Sequence, residues 1–288
     1  MKHYLTIDIG GTFIKYGLMG EDWRSPEEKT QATQKDPLLF LEQVKSIVRD
    51  YGNRIEGIAI CMAGFIDPVT GDNTDYSVGE NFRTYNLKKE LEDLTGKRVV
   101  VENDSNCAAL GEMLAGAAKG CRDFCLITLG TGIGGAIVID GRLVRGRHFK
   151  AGEVGQIRLW GNPGSEENCE SAGATSALVR KVSGMLGREV DGRYIFGHLD
   201  EKRIADIYGE WLEKVALTAG NMAMTLDPEL LLVGGGVCSQ KRLIDDLRER
   251  VYGLYPHLEE YTEIRACETG NLAGRIGALS LLLKEVRK

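Results

Sequence analysis

A run of apolar residues long enough to cross a membrane, roughly 18 or more, is missing from this chain. So are the charged stretch and apolar core of a secretory signal, because the first residues pass straight into a strand-like pattern. The expectation is a soluble, cytoplasmic protein with no membrane partner. Basic charge is also short: 36 Lys and Arg stand against 42 Asp and Glu, for a net charge of −6, and the isoelectric point is near 5.4. With no basic stripe to neutralise phosphates along a strand, nucleic acid is excluded as the partner and a small molecule is favoured. Cysteine offers no disulfide framework. Cys61, Cys107, Cys121, Cys125, Cys169, Cys238 and Cys267 are odd in number, scattered and mostly set in apolar sequence, so they read as reduced thiols filling core positions. Low-complexity tracts and disordered linkers are lacking too. What remains is a chain of 288 residues, 43% of them apolar, which can bury a substantial core and divide into two domains.

The most informative segment present is Leu126-Ile-Thr-Leu-Gly-Thr-Gly-Ile-Gly-Gly135, which repeats the opening Leu5-Thr-Ile-Asp-Ile-Gly-Gly-Thr12 with more glycine. Each copy is an apolar strand running into small residues, and a second apolar strand follows at once, over 13–18 and 135–139. This predicts two hairpins whose tips carry no bulky side chains, so that bare backbone N–H groups can close on an anion. Either loop alone reads equally well as an ordinary tight turn; the pairing, one per half of the chain, points to a nucleotide held by two related domains. Neither matches the dinucleotide-binding fingerprint or the Walker loop, because both are followed by a strand where those motifs require a helix.

Elsewhere strands and helices alternate as in an α/β protein. Leu38, Leu41, Val44, Ile47 and Val48 recur at helical spacing over 37–50, strands are predicted at 55–61 and 98–102, and a long helix over 206–225 is halted by Asp227-Pro228. Residues 230–237 read as a buried strand turning on three glycines, and 273–286 as a final helix that packs back on the first domain. The join near 116–120 reads as a hinge.

The strand in Val99-Val-Val-Glu-Asn-Asp-Ser-Asn-Cys107 delivers Asn103 and Asp104 to its C-terminal end, where α/β proteins bind their ligands. Position alone leaves two readings open, a catalytic carboxylate or a helix N-cap. Glu153, in Ala151-Gly-Glu-Val-Gly-Gln156, and Glu170 are further acidic candidates, each equally readable as a lone surface carboxylate.

Five motifs in order, Asp8-Ile-Gly-Gly-Thr12, Glu102-Asn-Asp-Ser-Asn-Cys-Ala-Ala109, Leu129-Gly-Thr-Gly-Ile-Gly-Gly135, Ala151-Gly-Glu-Val-Gly155 and Leu232-Val-Gly-Gly-Gly236, resemble those of the ROK sugar kinases, members of the actin/hexokinase/Hsp70 superfamily. The resemblance implies an α/β fold of two ribonuclease-H-like, actin-like ATPase domains flanking a ligand cleft: 1–117, completed by the helix 273–288, and 118–272. It implies an ATP-dependent kinase that phosphorylates the primary (6-) hydroxyl of a hexose such as glucose, a β-glucoside or N-acetylmannosamine. Asp104 would be the catalytic base, and Asn103, Asp104, Glu153, Gln156, Glu170 and the loop at Gly64 would bind the sugar. Gly10, Gly11 and Thr12 on one side and Gly130, Thr131 and Gly132 on the other would face the phosphates of ATP, with Gly234, Gly235 and Gly236 at the adenosine. Asp8 would hold Mg²⁺ through water, and a homodimer is usual for the family.

Two departures bear on that reading. Family members commonly have His where Gln156 stands, followed by a three-cysteine zinc cluster, whereas segment 160–169 keeps only Cys169. Zinc needs four ligands in a tetrahedron, so no structural zinc is expected, and Trp160 with a helix beginning near 174–178 would hold Glu170 instead. The lost His also touches specificity, since in the family it contacts the sugar near its anomeric and C2 hydroxyls. Two other classes were weighed. A sugar-sensing repressor of the same family carries a helix-turn-helix ahead of the first phosphate loop, and here that loop begins at residue 8. A non-enzymatic actin-like assembly protein has no use for the carboxylate set Asp104, Glu153 and Glu170.

Overall fold

The computed structural model describes residues 2–158 and 167–287, so Trp160 and its expected packing lie outside the described residues. The chain forms two compact units, Met1–Gly116 with Arg145–Lys150 and Asn271–Lys288, and Ala117–Val144 with Ala151–Gly270.

The first unit is built on a sheet of β1 (His3–Ile9), β2 (Phe13–Gly20), β3 (Lys29–Ala32), β4 (Gly57–Met62) and β5 (Arg98–Asn103), in the order β3-β2-β1-β4-β5. β1 and β2 form the expected antiparallel hairpin, while β4 and β5 run parallel to β1. All six residues of β4 are buried, as a continuous apolar strand between covered faces should be. α1 (Pro37–Tyr51) begins at Asp36, whose carboxylate caps the N–H groups of Leu38 and Leu39, and its buried face carries Phe40, Leu41, Val44, Ile47, Val48 and Tyr51. α2 (Leu87–Thr95) has a buried stripe of only Leu87 and Leu91 in a charged sequence, which is why periodicity did not reveal it.

The other face is covered by α3 (Asp104–Ala115) and the C-terminal helix α9 (Ala273–Val286). These two helices touch backbone to backbone: a Cβ on Gly277 would stand 1.9 Å from the Cys107 carbonyl oxygen, and one on Gly111 would stand 2.1 Å from that of Ala273. Ile276, Leu279, Leu282 and Leu283 of α9 then reach Tyr4, Met19, Ala59 and Val100 of the sheet. Arg275, fully buried, donates to Thr6 Oγ1 at 2.8 Å and Ser25 Oγ at 2.8 Å and pairs with Glu28 at 2.6 Å.

Residues 145–150, expected in the second domain, cluster with the first. Two contacts tie the segment there: Arg145 Nε donates to Glu102 Oε2 at 2.7 Å, and Lys150 lies 4.8 Å from the centroid of the Phe65 ring.

The second unit repeats the topology. Its sheet comprises β6 (Phe124–Leu129), β7 (Ile133–Ile139), β8 (Arg142–Leu143), β9 (Leu230–Gly234) and β10 (Glu263–Ala266), ordered β10-β9-β6-β7-β8, with β6 and β7 the antiparallel hairpin and β9 and β10 parallel to β6. The strand predicted over 230–237 stops at Gly234, and Gly236–Ser239 forms a helical turn. α4 (Cys169–Gly173), α5 (Thr175–Leu186), α6 (Gly192–Gly197), α7 (Lys202–Leu226) and α8 (Lys241–Leu254) complete it. Trp211 of α7 is 1% exposed and spends its indole N–H on the carbonyls of Gly173 and Ala174, at 2.8 and 3.0 Å, which ties α4 to the core.

Gly277→Ala should therefore cost about 2–3 kcal/mol in urea unfolding, because the added methyl meets backbone that cannot swing aside. Gly184→Ala in α5, where a Cβ meets nothing within 4 Å, should instead stabilise by about 0.5–1 kcal/mol. An unchanged midpoint for Gly277→Ala would show that α3 and α9 separate freely.

Candidate active site

In the first unit the parallel strands β1, β4 and β5 end side by side, with Asp8 opposite Cys61 and Cys61 opposite Glu102. Asp8 and Asp104 thus leave the same C-terminal edge. The helix-cap question resolves in favour of Asn103: its Oδ1 accepts the Asn106 N–H at 3.0 Å, and its amide donates to the Gly64 carbonyl at 3.1 Å. Asp104 is the first residue of α3, accepts the Ser105 N–H at 2.8 Å and opens to solvent. The protein around it partly desolvates this solvent-facing carboxyl and raises its pKa, an effect larger than the opposing pull of the hydrogen bonds at the start of the helix. Asp8 is pushed up to about 6, first by desolvation and then by the charge of Asp104, with Lys15 and Arg275 only partly offsetting these.

That pair is short of positive charge, and its donors are hard carboxylate oxygens of the kind Mg²⁺ takes. Asp8, expected to hold Mg²⁺ through water, thus offers the kind of oxygen that this cation takes. Among the described residues no group of three His, Cys, Asp or Glu side chains is placed to hold a metal.

The first hairpin tip spans the four residues between the paired Ile9 and Ile14. Thr33 fastens it, its hydroxyl donating to the Gly10 carbonyl at 2.8 Å and its N–H to that of Thr12 at 2.9 Å, while Lys35 donates to the Gly11 carbonyl. The N–H groups of Gly11 and Thr12 take no partner among the described residues, which leaves them for an anion.

The second tip is one residue shorter, three between Leu129 and Ile133. Ser176 of α5 holds it, the hydroxyl donating to the Thr131 carbonyl at 2.6 Å and the N–H to that of Gly130 at 3.3 Å. Beside it lies a cavity of about 460 Å³, lined by Gly130, Thr131, Thr175, Arg193, Gly236 and Gln240 among others, a size suited to a small ligand. Thr175 Oγ1 is buried there without a hydrogen-bond partner. Of the glycines expected at the adenosine only Gly236 lines this cavity. Gly235, at φ 102°, serves the fold, since a Cβ there would stand 2.0 Å from the Leu129 carbonyl oxygen. Gly64 likewise makes room for Asn73, against which a Cβ would stand 2.3 Å away.

Glu153, Gln156 and Glu170 all belong to the second unit. Gln156 is exposed at the end of a short helical turn, Val154–Gln156. Glu170 sits in the first turn of α4, and its Oε2 accepts the Ile133 N–H at 3.1 Å. Cys169 is 1% exposed and packed in the core.

Sequence reasoning missed the support behind Asp104. Glu102, 1% exposed, accepts the Asn103 N–H at 3.0 Å, the Asn106 amide at 3.0 Å and Arg145 at 2.7 Å. Its position inside the motif was a signal, but its partner Arg145 lies 43 residues away with no local mark. Thr175, Ser176, Arg193 and Gln240 were missed as well, because three separate segments bring them to one cavity.

One sheet topology used twice, each copy opening on a small-residue hairpin, is the architecture of the actin-like ATPases, and solved sugar kinases share it over their full length. A ROK glucokinase from Streptomyces griseus, solved with glucose and AMPPNP, superposes with a TM-score of 0.84 at 28% identity, covering 97% of this chain and 98% of that one. A Listeria monocytogenes protein provisionally described as an N-acetylmannosamine kinase reaches a TM-score of 0.90 at 29% identity, covering 98% and 99%. In sequence, the β-glucoside kinase of Listeria monocytogenes is 31% identical over 298 residues, 96% of each chain. The ROK family model matches residues 4–285, and the chain belongs to the ROK family.

The raised pKa of Asp8 has a consequence for stability. A carboxyl that holds its proton more tightly when folded favours folding below the unfolded value of 3.8, and that advantage is lost as pH rises through about 6. Asp8→Asn should therefore gain on the wild type between pH 4 and 7 by on the order of 2 kcal/mol, after allowance for partial exposure. Thermal melts of both proteins across that range test this, and a constant difference would contradict it.

Proposed function

We propose that this chain, a sugar kinase, transfers the γ-phosphate of ATP to the primary (6-) hydroxyl of a hexose such as glucose, a β-glucoside or N-acetylmannosamine. The observation that carries the reading is Asp104: a carboxylate with a raised pKa, open to solvent at the end of β5 and relieved of capping duty by Asn103. A base poised nearer neutral pH than an ordinary aspartate accepts a proton from an alcohol more effectively. Asp104 takes the hydroxyl proton and the oxygen attacks the γ-phosphorus in line, a reaction governed by positioning and charge neutralisation. Glu102 and Arg145 hold the backbone that presents the base. The unpaired N–H groups of Gly11 and Thr12 bind phosphate oxygens, and the cavity beside Thr131 and Gly236 takes the adenosine. Mg²⁺, held by Asp8 through water, would neutralise phosphate charge.

Asn103 and the second unit's Glu153, Gln156 and Glu170 bind sugar hydroxyls. Gln156 both donates and accepts hydrogen bonds, so glucose remains a substrate without the family's histidine. Cytoplasmic residence and a homodimer accompany this reading through the resemblance to the family.

A coupled ADP-release screen over glucose, N-acetylmannosamine, mannose, allose and β-linked disaccharides tests the function, with turnover expected on at least one. ADP release that no sugar stimulates would exclude it. With the accepted sugar, Asp104→Asn should lower kcat by about 10²–10⁴-fold while nucleotide binding holds and the melting temperature does not fall. Unchanged turnover would remove Asp104 from the chemistry.

The purified protein should carry no stoichiometric zinc, and its turnover should survive a zinc chelator with Mg²⁺ in excess. Elemental analysis finding about one zinc per chain, with activity lost on chelation, would show a site completed by other ligands.

A further inference from the structure

Three segments of the second unit converge on Ile133, the residue that leaves the second hairpin tip. Glu170 Oε2 accepts its N–H at 3.1 Å. The same oxygen lies over Gly132, where a Cβ would stand 2.3 Å away. Gly155, in the segment that carries Glu153 and Gln156, is wedged in from the other side: a Cβ there would meet the Ile133 carbonyl oxygen at 2.3 Å and Glu170 Cβ at 3.3 Å. Glu170 itself stands on firm footing. Asn168 and Ser171 close a capping box around the start of α4, and Trp211 bonds the carbonyls at its end. Its second oxygen, Oε1, takes no partner among the described residues.

The two hairpins differ at this point. Where the second has Gly132 the first has Thr12, and the first tip is fastened by the Thr33 hydroxyl and the Lys35 ammonium. Only the second is fastened by a carboxylate that the functional reading above assigns to the sugar.

We infer that Glu170 is a positioning residue that couples the acceptor sugar to the phosphate-facing hairpin, one carboxylate oxygen holding the Ile133 N–H while the other receives a sugar hydroxyl. The inference rests on the sugar-kinase reading. A sugar hydroxyl on Oε1 fixes the rotamer of Glu170 and so keeps Oε2 on the hairpin. The tip is then ordered for phosphate before the nucleotide arrives. Linkage requires the reverse as well: a nucleotide that orders the tip holds Glu170 in place for the sugar. Glycine at 132 is what admits the contact, since any side chain would push the carboxylate off.

The test is a binding cycle by calorimetry, with AMPPNP titrated into the protein with and without the hexose of highest turnover. The wild type should bind the nucleotide about tenfold more tightly with sugar present, within the usual range for coupled sites. In Gly132→Ala the ratio should fall to near one, and because it is a ratio, any uniform loss of nucleotide or sugar affinity cancels. Glu170→Gln, whose amide oxygen can still accept the Ile133 N–H, should keep the ratio within about threefold of wild type. Should Gly132→Ala fail to fold, Glu170→Met, which keeps the bulk and removes the acceptor, is read in its place. A wild-type ratio of one, or a ratio retained in Gly132→Ala, overturns the coupling while sugar-dependent ADP release leaves the kinase reading standing. Absence of that release in the wild type sinks both.

Discussion

Two carboxylates, Asp8 and Asp104, share one edge of one sheet, and holding both there against desolvation is the constraint that marks the first unit. Asp8 lies near the end of β1 and Asp104 opens α3 directly after β5, so parallel topology brings like charges to one edge. Desolvation raises the pKa of both groups, and at Asp8 the charge of Asp104 adds to it. Lys15 and, to a smaller extent, the buried Arg275 of α9 pull the Asp8 pKa back down.

The repeated sheet divides labour. In the first unit the ends of the parallel strands carry carboxylates, and the hairpin tip offers unpaired N–H groups held from behind by a hydroxyl and an ammonium. In the second unit the three parallel strands end in Leu129, Gly234 and Ala266 with no carboxylate among them, and a cavity lies beside Thr131 and Gly236. The same backbone frame thus presents carboxylates at the strand ends in one copy and a cavity beside the hairpin in the other.

Much of this was legible in the chain. The two hairpins, the long helix halted at Asp227-Pro228 and the final helix announce themselves through apolar spacing and turn residues, which act over a few neighbours. Motif order then named the family, and Asp104 with it. The elements that escaped, α2, α8 and β10, are charged or short, and become regular only because one narrow stripe finds a core.

By itself, the order of residues determined the duplicated strand-turn-strand plan, the small-residue tips and the carboxylate at the start of α3, because each depends on neighbours in sequence. Only the tertiary structure decided that Asn103 and not Asp104 caps the helix and that Arg145 crosses to Glu102. It alone decided that Gly235 serves packing while Gly236 serves the cavity, and that Glu170 grips the hairpin. These outcomes turn on which backbone or charge lies within about 3 Å, and that distance is set by segments far apart in the chain.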